Sequence, residues 1–232
     1  MVIGAVGDLH GDFDALYRAM RSHRDVPCWL CVGDVADDQA QYPSPPALLY
    51  WIKGNNEDFD FIARQLEGEP SVSNLHYLPN SIPVTISGLR VVGLGGTFAP
   101  TWYDTPAAQL PRSRRPATPD DKRRHFVREE VEACLRLRDI DILLSHEAAR
   151  PFIVDQPRSS GKGRPIDAGK TPINELLGAM RPRLHLFGHH HRFSEALRQE
   201  VPSVGLDLVG RSYLLIDAGT LRYQKLETPR GA

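Results

Sequence analysis

The sequence has few cysteines and no dense pattern of them. Cys28, Cys31 and Cys134 are an odd number of thiols in 232 residues, which does not indicate a disulfide framework. Cys28 and Cys31 have C-x-x-C spacing, but no second pair completes a zinc ribbon. Because this motif runs into an apolar segment, we expect its cysteines to be buried free thiols.

The sequence also lacks a long apolar run and an excess of charge of one sign. No run approaches the ~20 residues that cross a bilayer, and no basic segment with an apolar stretch precedes the first strand. We therefore expect a cytoplasmic protein with no membrane partner. Because 28 basic residues balance 29 acidic ones, the net charge gives no general argument for nucleic acid, although a local basic patch remains open.

What is present is the pattern of a mixed α/β protein. The length suits one domain over residues 1–232, and strands that alternate with helices, followed by hairpins, predict a layered α/β (α+β) fold. We expect strands at 2–6, 29–32, 48–52, 82–86, 89–94, 140–144, 184–187, 213–216 and 222–226, and helices at 13–21, 58–66, 120–138 and 173–180. Residues 98–118 are expected to form a loop insertion, and residues 155–170 a mobile surface loop.

Side chains that can bind metals follow five of the predicted strands. They are Asp8, His10, Asp34, Asn55, His146, His189 and His191. Ligands of α/β sheets gather beyond the carboxyl ends of the strands, and two residues separated by one position point the same way if the segment is extended. Carboxylate, carboxamide and imidazole ligands suit Mn²⁺, Fe²⁺ or Zn²⁺. The sequence therefore predicts a metal site, whereas His185 lies inside a strand and is expected to be a packed histidine.

These motifs resemble the calcineurin-like metallophosphoesterases. Their order is Gly7-Asp8-Leu9-His10, Gly33-Asp34, Gly54-Asn55-Asn56-Glu57, His146 and Gly188-His189-His190-His191. The resemblance implies a four-layer sandwich of two mixed β-sheets flanked by helices. It implies two divalent metal ions, Mn²⁺ in the first place with Fe²⁺, Zn²⁺ or Ni²⁺ as alternatives. It further implies hydrolysis of a phosphate ester by a hydroxide that bridges the metals.

The resemblance also implies how the ligands are divided. Asp8, His10 and His191 would hold one metal. Asn55, His146 and His189 would hold the other. Asp34 would bridge the two.

One position departs from the family pattern and affects the expected chemistry. The family usually has a histidine where this chain has Asn56, and that histidine is thought to protonate the leaving oxygen. An asparagine amide donates a hydrogen bond but does not transfer a proton at neutral pH. The leaving group then needs no proton, another histidine such as His125 or His190 supplies it, or the enzyme is slow.

Further residues near the motifs are candidates for supporting roles. Asp37 is expected either to orient a catalytic group or water or to cap a helix, and Asp12 and Glu57 are candidates to accept hydrogen bonds from ligating imidazoles. Substrate-binding candidates are Asn56, His125, Arg150 and Arg192. Two basic runs either contact phosphates or form a solvated surface; they are Arg112, Arg114, Arg115, Lys122, Arg123 and Arg124, and Arg158, Lys162 and Arg164.

A weaker likeness narrows the expected reaction. The segments at 74–78, 88–96 and 140–147 are similar to the RNA lariat-debranching enzymes of the same family, which implies a phosphodiesterase whose substrate is a nucleotide, a nucleic acid or another diester. Asn56 and the large carboxyl-terminal region of those enzymes are departures. We expect a phosphodiesterase or phosphoanhydride hydrolase. A serine/threonine-type protein phosphatase or phosphomonoesterase, and a metal-binding scaffold with little turnover, remain alternatives, and the oligomeric state is left open.

Overall fold

The computed structural model describes residues 1–68, 72–113, 118–158 and 161–231. In these residues the strands are β1 Val2–Val6, β2 Cys28–Cys31, β3 Leu48–Trp51, β4 Leu75–Tyr77, β5 Val84–Ile86, β6 Leu89–Leu94, β7 Ile142–Ser145, β8 Ile153–Arg158, β9 Gly161–Asp167, β10 Leu184–Phe187, β11 Ser194–Arg198, β12 Val201–Gly205, β13 Ser212–Asp217 and β14 Tyr223–Glu227. The α-helices are α1 Phe13–Ser22, α2 Phe59–Leu66, α3 Arg128–Leu135 and α4 Thr171–Met180. None of these helices is both long and apolar enough to cross a membrane.

Two six-stranded mixed sheets form the centre of the fold. The first has the order β14-β13-β1-β2-β3-β4, and the second has the order β11-β12-β10-β7-β6-β5. Strands β1 to β4 are parallel to one another, as are β6, β7, β10 and β12. The carboxyl ends of each parallel group therefore lie along one edge of its sheet.

The hydrophobic core divides into layers that match the predicted sandwich. One cluster lies between the sheets and contains Leu30 of β2 and Leu144 of β7. A second packs α1 and α2 on the outer face of the first sheet, and a third packs α3 and α4 on the outer face of the second. The order helix–sheet–sheet–helix confirms the predicted fold.

Strand β2 shows how the sequence specifies this packing. Its four residues are all buried, with Cys28 and Leu30 facing the other sheet and Trp29 and Cys31 facing the helices. Successive side chains of a strand point to opposite faces, so a continuous apolar run indicates a strand that is covered on both sides. Cys28 and Cys31 are free and buried, as predicted, and Cys134 is also free and buried.

The structure differs from the sequence prediction over residues 155–170 and 120–138. Residues 155–170 were expected to be a loop, but β8 and β9 form an antiparallel hairpin in which Ile153 pairs with Asp167. The helix predicted over 120–138 is confined to α3, and residues 122–124 form a separate 3₁₀ turn. His125 and Val127 have extended backbones, and His125 pairs with Thr97, so the chain rejoins a strand-like path before α3 begins.

Smaller differences concern short strands. β4, β11 and β12 were not predicted, because β4 has only three residues and β11 is a half-exposed edge strand with little apolar signal. Residues 98–113 and 118, the described part of the predicted insertion, contain a 3₁₀ turn at Ala107–Gln109 and neither α-helix nor strand.

His185 is a packed histidine, as predicted. It is fully buried in β10, and its ring nitrogens are hydrogen-bonded to the hydroxyls of Ser145 at 2.7 Å and Ser203 at 3.1 Å. Burial lowers the pKa of His185 to about 3, so the ring is neutral in the folded protein at pH 7.

This burial predicts a pH dependence of stability. Between about pH 3 and the ~6.5 of an unfolded histidine, the unfolded state binds one proton more than the folded state at His185, so stability is lost as pH falls through this range. We expect His185→Ala to remove about 2 kcal/mol of the stability loss between pH 7 and pH 5. Urea unfolding of both proteins in EDTA measures this difference, and parallel pH curves would contradict it.

Candidate metal centre

The predicted ligands lie where the carboxyl ends of the parallel strands of both sheets meet. Asp8 follows β1, Asp34 follows β2, and Asn55 follows β3. His146 follows β7 of the second sheet, and the segment 188–191 follows β10. Ligands that are far apart in sequence therefore converge, because the two sheets stack with these edges together.

A first cluster joins Asp8, His10 and His191. Nε2 of His191 is 3.1 Å from Oδ2 of Asp8 and 3.0 Å from Nε2 of His10. Asp8 is buried, whereas the two histidines keep about a third of their side-chain surface exposed, 32% for His10 and 40% for His191. This side of the centre is open to solvent.

A second cluster joins Asp34, His146 and His189, and Asn55 borders it. In each cluster the three potential ligand atoms lie within 4.8 Å of one another. The amide oxygen of Asn55 is 3.1 Å from Nε2 of His146. His146 and Asp34 are buried, so this cluster lies deeper than the first.

The carboxylate of Asp34 connects the two clusters. Its Oδ2 is 3.5 Å from Nε2 of His10 and 3.6 Å from Nε2 of His146. Its Oδ1 accepts hydrogen bonds from the backbone N–H groups of Asn55 at 2.6 Å and Asn56 at 2.8 Å. One oxygen is therefore held by the backbone, and the other points between the two groups of ligands.

The donor set fits divalent cations. Nδ1 of His146 donates to the carbonyl of Val32 at 2.8 Å, which leaves the lone pair of Nε2 directed toward oxygen atoms of Asp34 and Asn55. Acceptors that converge in this way are stabilised by a cation, and a ligating histidine usually donates its other ring nitrogen to such a carbonyl. Oxygen and imidazole ligands without thiolate suit Mn²⁺, Fe²⁺ or Zn²⁺.

The surrounding groups favour the charged form of the Asp34 carboxylate. Burial raises the pKa of Asp34, but the imidazoles of His146 and His10 and the N–H of Asn56 outweigh burial, so the pKa is lowered overall. Burial lowers the pKa of His146, but the carboxylates of Asp34 and Asp8 outweigh it, so that pKa is raised. The site is thus an anionic pocket lined with imidazoles.

The backbone at the ligands is not the extended chain that the i, i+2 spacing suggested. His10, Asp34, His189 and His191 all have positive φ, between 44° and 69°. Non-glycine residues rarely adopt this left-handed conformation, and it is concentrated at functional sites. As a result His189 and His191 turn to different clusters, the first to Asp34 and the second to Asp8.

Two glycines are required by close approach. A Cβ on Gly54 would lie 2.0 Å from Oδ1 of Asp34, and a Cβ on Gly188 would lie 2.2 Å from Oδ1 of Asp8. Any side chain at these positions would displace a carboxylate of the centre.

Glu57 has a different role from the one that the sequence suggested. Its buried carboxylate accepts hydrogen bonds from the backbone N–H groups of Val35, Ala36 and Gly54 and from the hydroxyl of Tyr42, rather than from an imidazole. Burial, with the nearby Asp34, raises its pKa to about 8. Glu57 therefore ties the loop after β2 to the loop after β3. Asp12 likewise accepts from the N–H of Ala15 and caps α1.

The remaining predicted site residues divide by position. The side-chain amide of Asn56 donates to Oδ2 of Asp34 at 3.3 Å, so Asn56 lies at the centre. His190 stacks on Phe152 with ring centroids 4.6 Å apart, and its Nε2 is buried. Asp37 accepts from the N–H groups of Gln39 and Gln41, which makes it a loop cap rather than a helix cap.

Three further substrate-binding candidates make contacts outside the two ligand clusters. Arg150 pairs with Asp167 at 2.8 Å. The guanidinium of Arg192 lies over Phe152 at 5.4 Å, and these two residues line a cleft of about 280 Å³. Nδ1 of His125 is 2.9 Å from the hydroxyl of Thr97. Of the two basic runs, Arg114 and Arg115 and the side chains of Arg158 and Lys162 are outside the described residues; Arg112 and Arg164 are exposed.

Two residues that support the centre were not predicted from the sequence. Tyr42 donates to Glu57, and Lys53 donates to the carbonyls of Arg123 at 2.9 Å and His125 at 3.1 Å. Lys53 stands two positions before Asn55, and this closeness to a predicted ligand was the sequence signal that could have found it. No sequence spacing indicates Tyr42, because its contact depends on the folded loop.

Comparison with known proteins agrees with this geometry. Residues 1–193 match the family model for calcineurin-like phosphoesterase, and the chain belongs to this family. A lariat debranching enzyme of Entamoeba histolytica is 22% identical over 233 residues, covering 82% of this chain and 63% of that enzyme. An uncharacterised protein of Haemophilus influenzae is 26% identical over 209 residues, covering 80% of this chain and 81% of that protein.

One solved structure supports the fold. The crystal structure of a protein from Thermus thermophilus has a TM-score of 0.64 at 13% identity, and the match covers 98% of this chain and 99% of that one. At this identity the likeness shows the fold alone. The chain spans less than two thirds of the length of the lariat debranching enzymes that it matches.

The close approach at Gly54 yields a prediction about metal binding. Because a Cβ there would overlap the carboxylate of Asp34, we expect Gly54→Ala to weaken binding of Mn²⁺ by at least about tenfold, the scale seen when support of a ligand is lost. Titration calorimetry of the metal-free protein measures this. Gly178→Ala is the matched control, since its Cβ meets nothing closer than 3.9 Å. Equal affinities for the two variants would contradict the prediction.

Proposed function

We propose that this chain is a binuclear metal-dependent phosphoesterase that cleaves phosphodiesters or phosphoanhydrides, with Mn²⁺ as the first metal to test. The observation that carries the proposal is the position of Oδ2 of Asp34, 3.5 Å from His10 of one cluster and 3.6 Å from His146 of the other. A carboxylate oxygen so placed suits a ligand that is shared by two cations. Membership of the calcineurin-like family supports the same reading.

The described residues support a division of ligands between two ions. Asp8, His10 and His191 would hold one, while Asn55, His146 and His189 would hold the other, with Asp34 common to both. Two bound ions would supply Lewis-acid stabilisation of phosphate oxygens and acidify a water molecule. The protein itself keeps Asp34 ionised and directs Nε2 of His146 into the centre through the carbonyl of Val32.

The supply of a proton to the leaving group limits the substrates. Asn56 donates a hydrogen bond but does not transfer a proton at neutral pH. Burial, with the charge of Arg124, lowers the pKa of His125 to about 4, and one of its ring nitrogens is already bonded to Thr97. His190 is stacked on Phe152, and its Nε2 is buried. These groups are poorly suited to act as an acid, which favours leaving groups that depart without a proton.

A diester is the substrate class that we favour. The similarity to lariat debranching enzymes supports a phosphodiesterase, and nucleotides or nucleic acid are therefore the natural diesters to screen. Phosphomonoester or phosphoprotein hydrolysis, and metal binding without turnover, are the competing outcomes of the assay. Asp37 and His190 then support the loops. Arg150, and Arg192 in the lining of the cleft, are candidates to contact the substrate beyond its phosphate.

The experiment that tests the function compares three substrates. We expect the Mn²⁺-loaded protein to cleave bis-p-nitrophenyl phosphate in preference to p-nitrophenyl phosphate and a phosphopeptide. Asp34→Asn and His146→Ala should abolish this activity, because each removes a ligand of the deeper cluster. His76→Ala is a matched control, since His76 is exposed and stacks on Tyr50 away from the centre. Metal binding without cleavage of any of the three substrates would favour the scaffold.

An asparagine at position 56, where the family has a histidine, gives a prediction about leaving groups. In the wild type, kcat/KM should fall steeply as the pKa of the leaving group rises. We expect Asn56→His to raise kcat/KM for alkyl phosphodiesters by about 100-fold, the low end of general acid catalysis, with little change for p-nitrophenyl esters. Asn56→Ala controls for the lost hydrogen bond to Asp34. Equal wild-type kcat/KM for leaving groups of very different pKa would show that a proton is already supplied.

A further inference from the structure

Two adjacent arginines beside the metal centre have different surroundings. The guanidinium of Arg123 pairs with Asp121 at 2.6 Å and with Asp60 at 2.7 Å, so its charge is neutralised within the protein. Arg124 has no carboxylate within ion-pair distance and no hydrogen-bond partner for its buried Nε in the part of the chain that the structure describes. A buried donor without a partner costs free energy and needs an explanation.

The backbone of Arg124 is held firmly on both sides. Nζ of Lys53 donates to the carbonyls of Arg123 and His125, and the carbonyl of Arg124 itself accepts from the N–H of Thr97 at 2.9 Å. The hydroxyl of Thr97 contacts Nδ1 of His125. The side chain of Arg124 therefore extends from a backbone segment, residues 123–125, that hydrogen bonds hold in place.

The residues that hold this segment lie next to the candidate metal ligands. Lys53 lies two positions before Asn55, and the N–H of Gly96 donates to the carbonyl of Lys53 at 2.7 Å. The N–H of Phe98 donates to the carboxylate of Glu147, the residue after His146. The segment 96–98 is therefore fastened between residues next to two ligands of the deeper cluster, and Arg124 sits directly on that segment.

The electrostatic environment agrees with this placement. Burial lowers the pKa of the Arg124 guanidinium, and the attraction of Asp34 opposes that shift. Asp34 is the carboxylate that connects the two ligand clusters. The charge of Asp34 therefore acts on Arg124, while the Nε of Arg124 has no hydrogen-bond partner among the described residues.

We propose that the guanidinium of Arg124 binds a non-bridging phosphate oxygen of the substrate at the metal centre. The inference rests on the proposed phosphoesterase function and names a residue for it. A guanidinium presents planar N–H donors that match phosphate oxygens, and such charge-assisted bonds are about twice as strong as neutral ones. A phosphate bound at the centre would supply the counter-charge that the described residues do not give Arg124.

The test uses Arg124→Ala and Arg124→Lys with Lys122→Ala as the matched control. Lys122 carries the same charge two positions away, but its ammonium donates to the carbonyl of Pro119 and not toward the centre. For bis-p-nitrophenyl phosphate we expect Arg124→Ala to lower kcat/KM by about 10- to 100-fold and to weaken inhibition by inorganic phosphate to a similar degree. Arg124→Lys should fall between, and Lys122→Ala should stay within about twofold of the wild type.

Two readouts separate substrate binding from support of the fold. The stoichiometry of bound Mn²⁺ should be unchanged in Arg124→Ala, and low concentrations of guanidinium ion should restore part of its activity but leave Lys122→Ala unaffected. Loss of Mn²⁺ binding, or a kcat/KM and phosphate affinity equal to the wild type, would overturn the assignment. Should the alanine variant fail to fold, Arg124→Gln gives the same comparison with most of the side-chain volume retained.

Failure of the proposed function is distinguishable from failure of this inference. If the wild type cleaves none of the substrates, calorimetry with inorganic phosphate and the Mn²⁺-loaded proteins still compares Arg124 variants with the wild type. Weaker phosphate binding in Arg124→Ala supports the assignment, and equal binding overturns it, whatever the turnover.

Discussion

The arrangement of the metal centre depends on one buried carboxylate. Asp34 receives the N–H groups of Asn55 and Asn56 through Oδ1 and faces His10 and His146 through Oδ2. An ionised carboxylate is costly to bury unless hydrogen bonds and opposite charges compensate. Backbone donors that point at the charge meet part of this requirement, and cations bound between the ligands would meet the rest. The position of every other ligand can be described relative to this group.

The protein maintains this arrangement with unusual local backbone and a buried brace. Four ligand positions have left-handed φ, a conformation that persists only when the surrounding structure holds it. Glu57 provides this hold next to Asp34, because one carboxylate accepts N–H groups from the loops after β2 and β3 together with the hydroxyl of Tyr42. Removing one partner of such a buried network leaves the others unsatisfied, so the loops are energetically coupled.

The residues around the ligands bear on which leaving groups the centre could serve. Asn56 occupies the place of a proton donor, and the nearby histidines are engaged with Thr97 and Phe152. Lys53 fixes the backbone on both sides of Arg124, whose guanidinium has a buried Nε without a hydrogen-bond partner among the described residues. Under the proposed function, a centre that recognises phosphate but has little acid catalysis would suit esters whose leaving group is already stable as an anion.

The sequence pattern alone determined the layered α/β class and the metal-competent residues with their order, because apolar runs that end in Gly-Asp or Gly-His place ligands at the ends of strands whatever the loops do. The four-layer sandwich was implied by the resemblance of these motifs to the calcineurin-like family. It also identified His185 as packed, since a histidine inside an apolar strand is surrounded by core. It did not determine the short edge strands, the β8–β9 hairpin or the end of the predicted 120–138 helix, where pairing with distant segments outweighs local propensity. The partners of Glu57, the division of His189 from His191, and the contrast between Arg123 and Arg124 were decided only by tertiary structure. Each depends on which distant backbone groups and charges lie within a few ångströms, and no spacing along the chain encodes that distance.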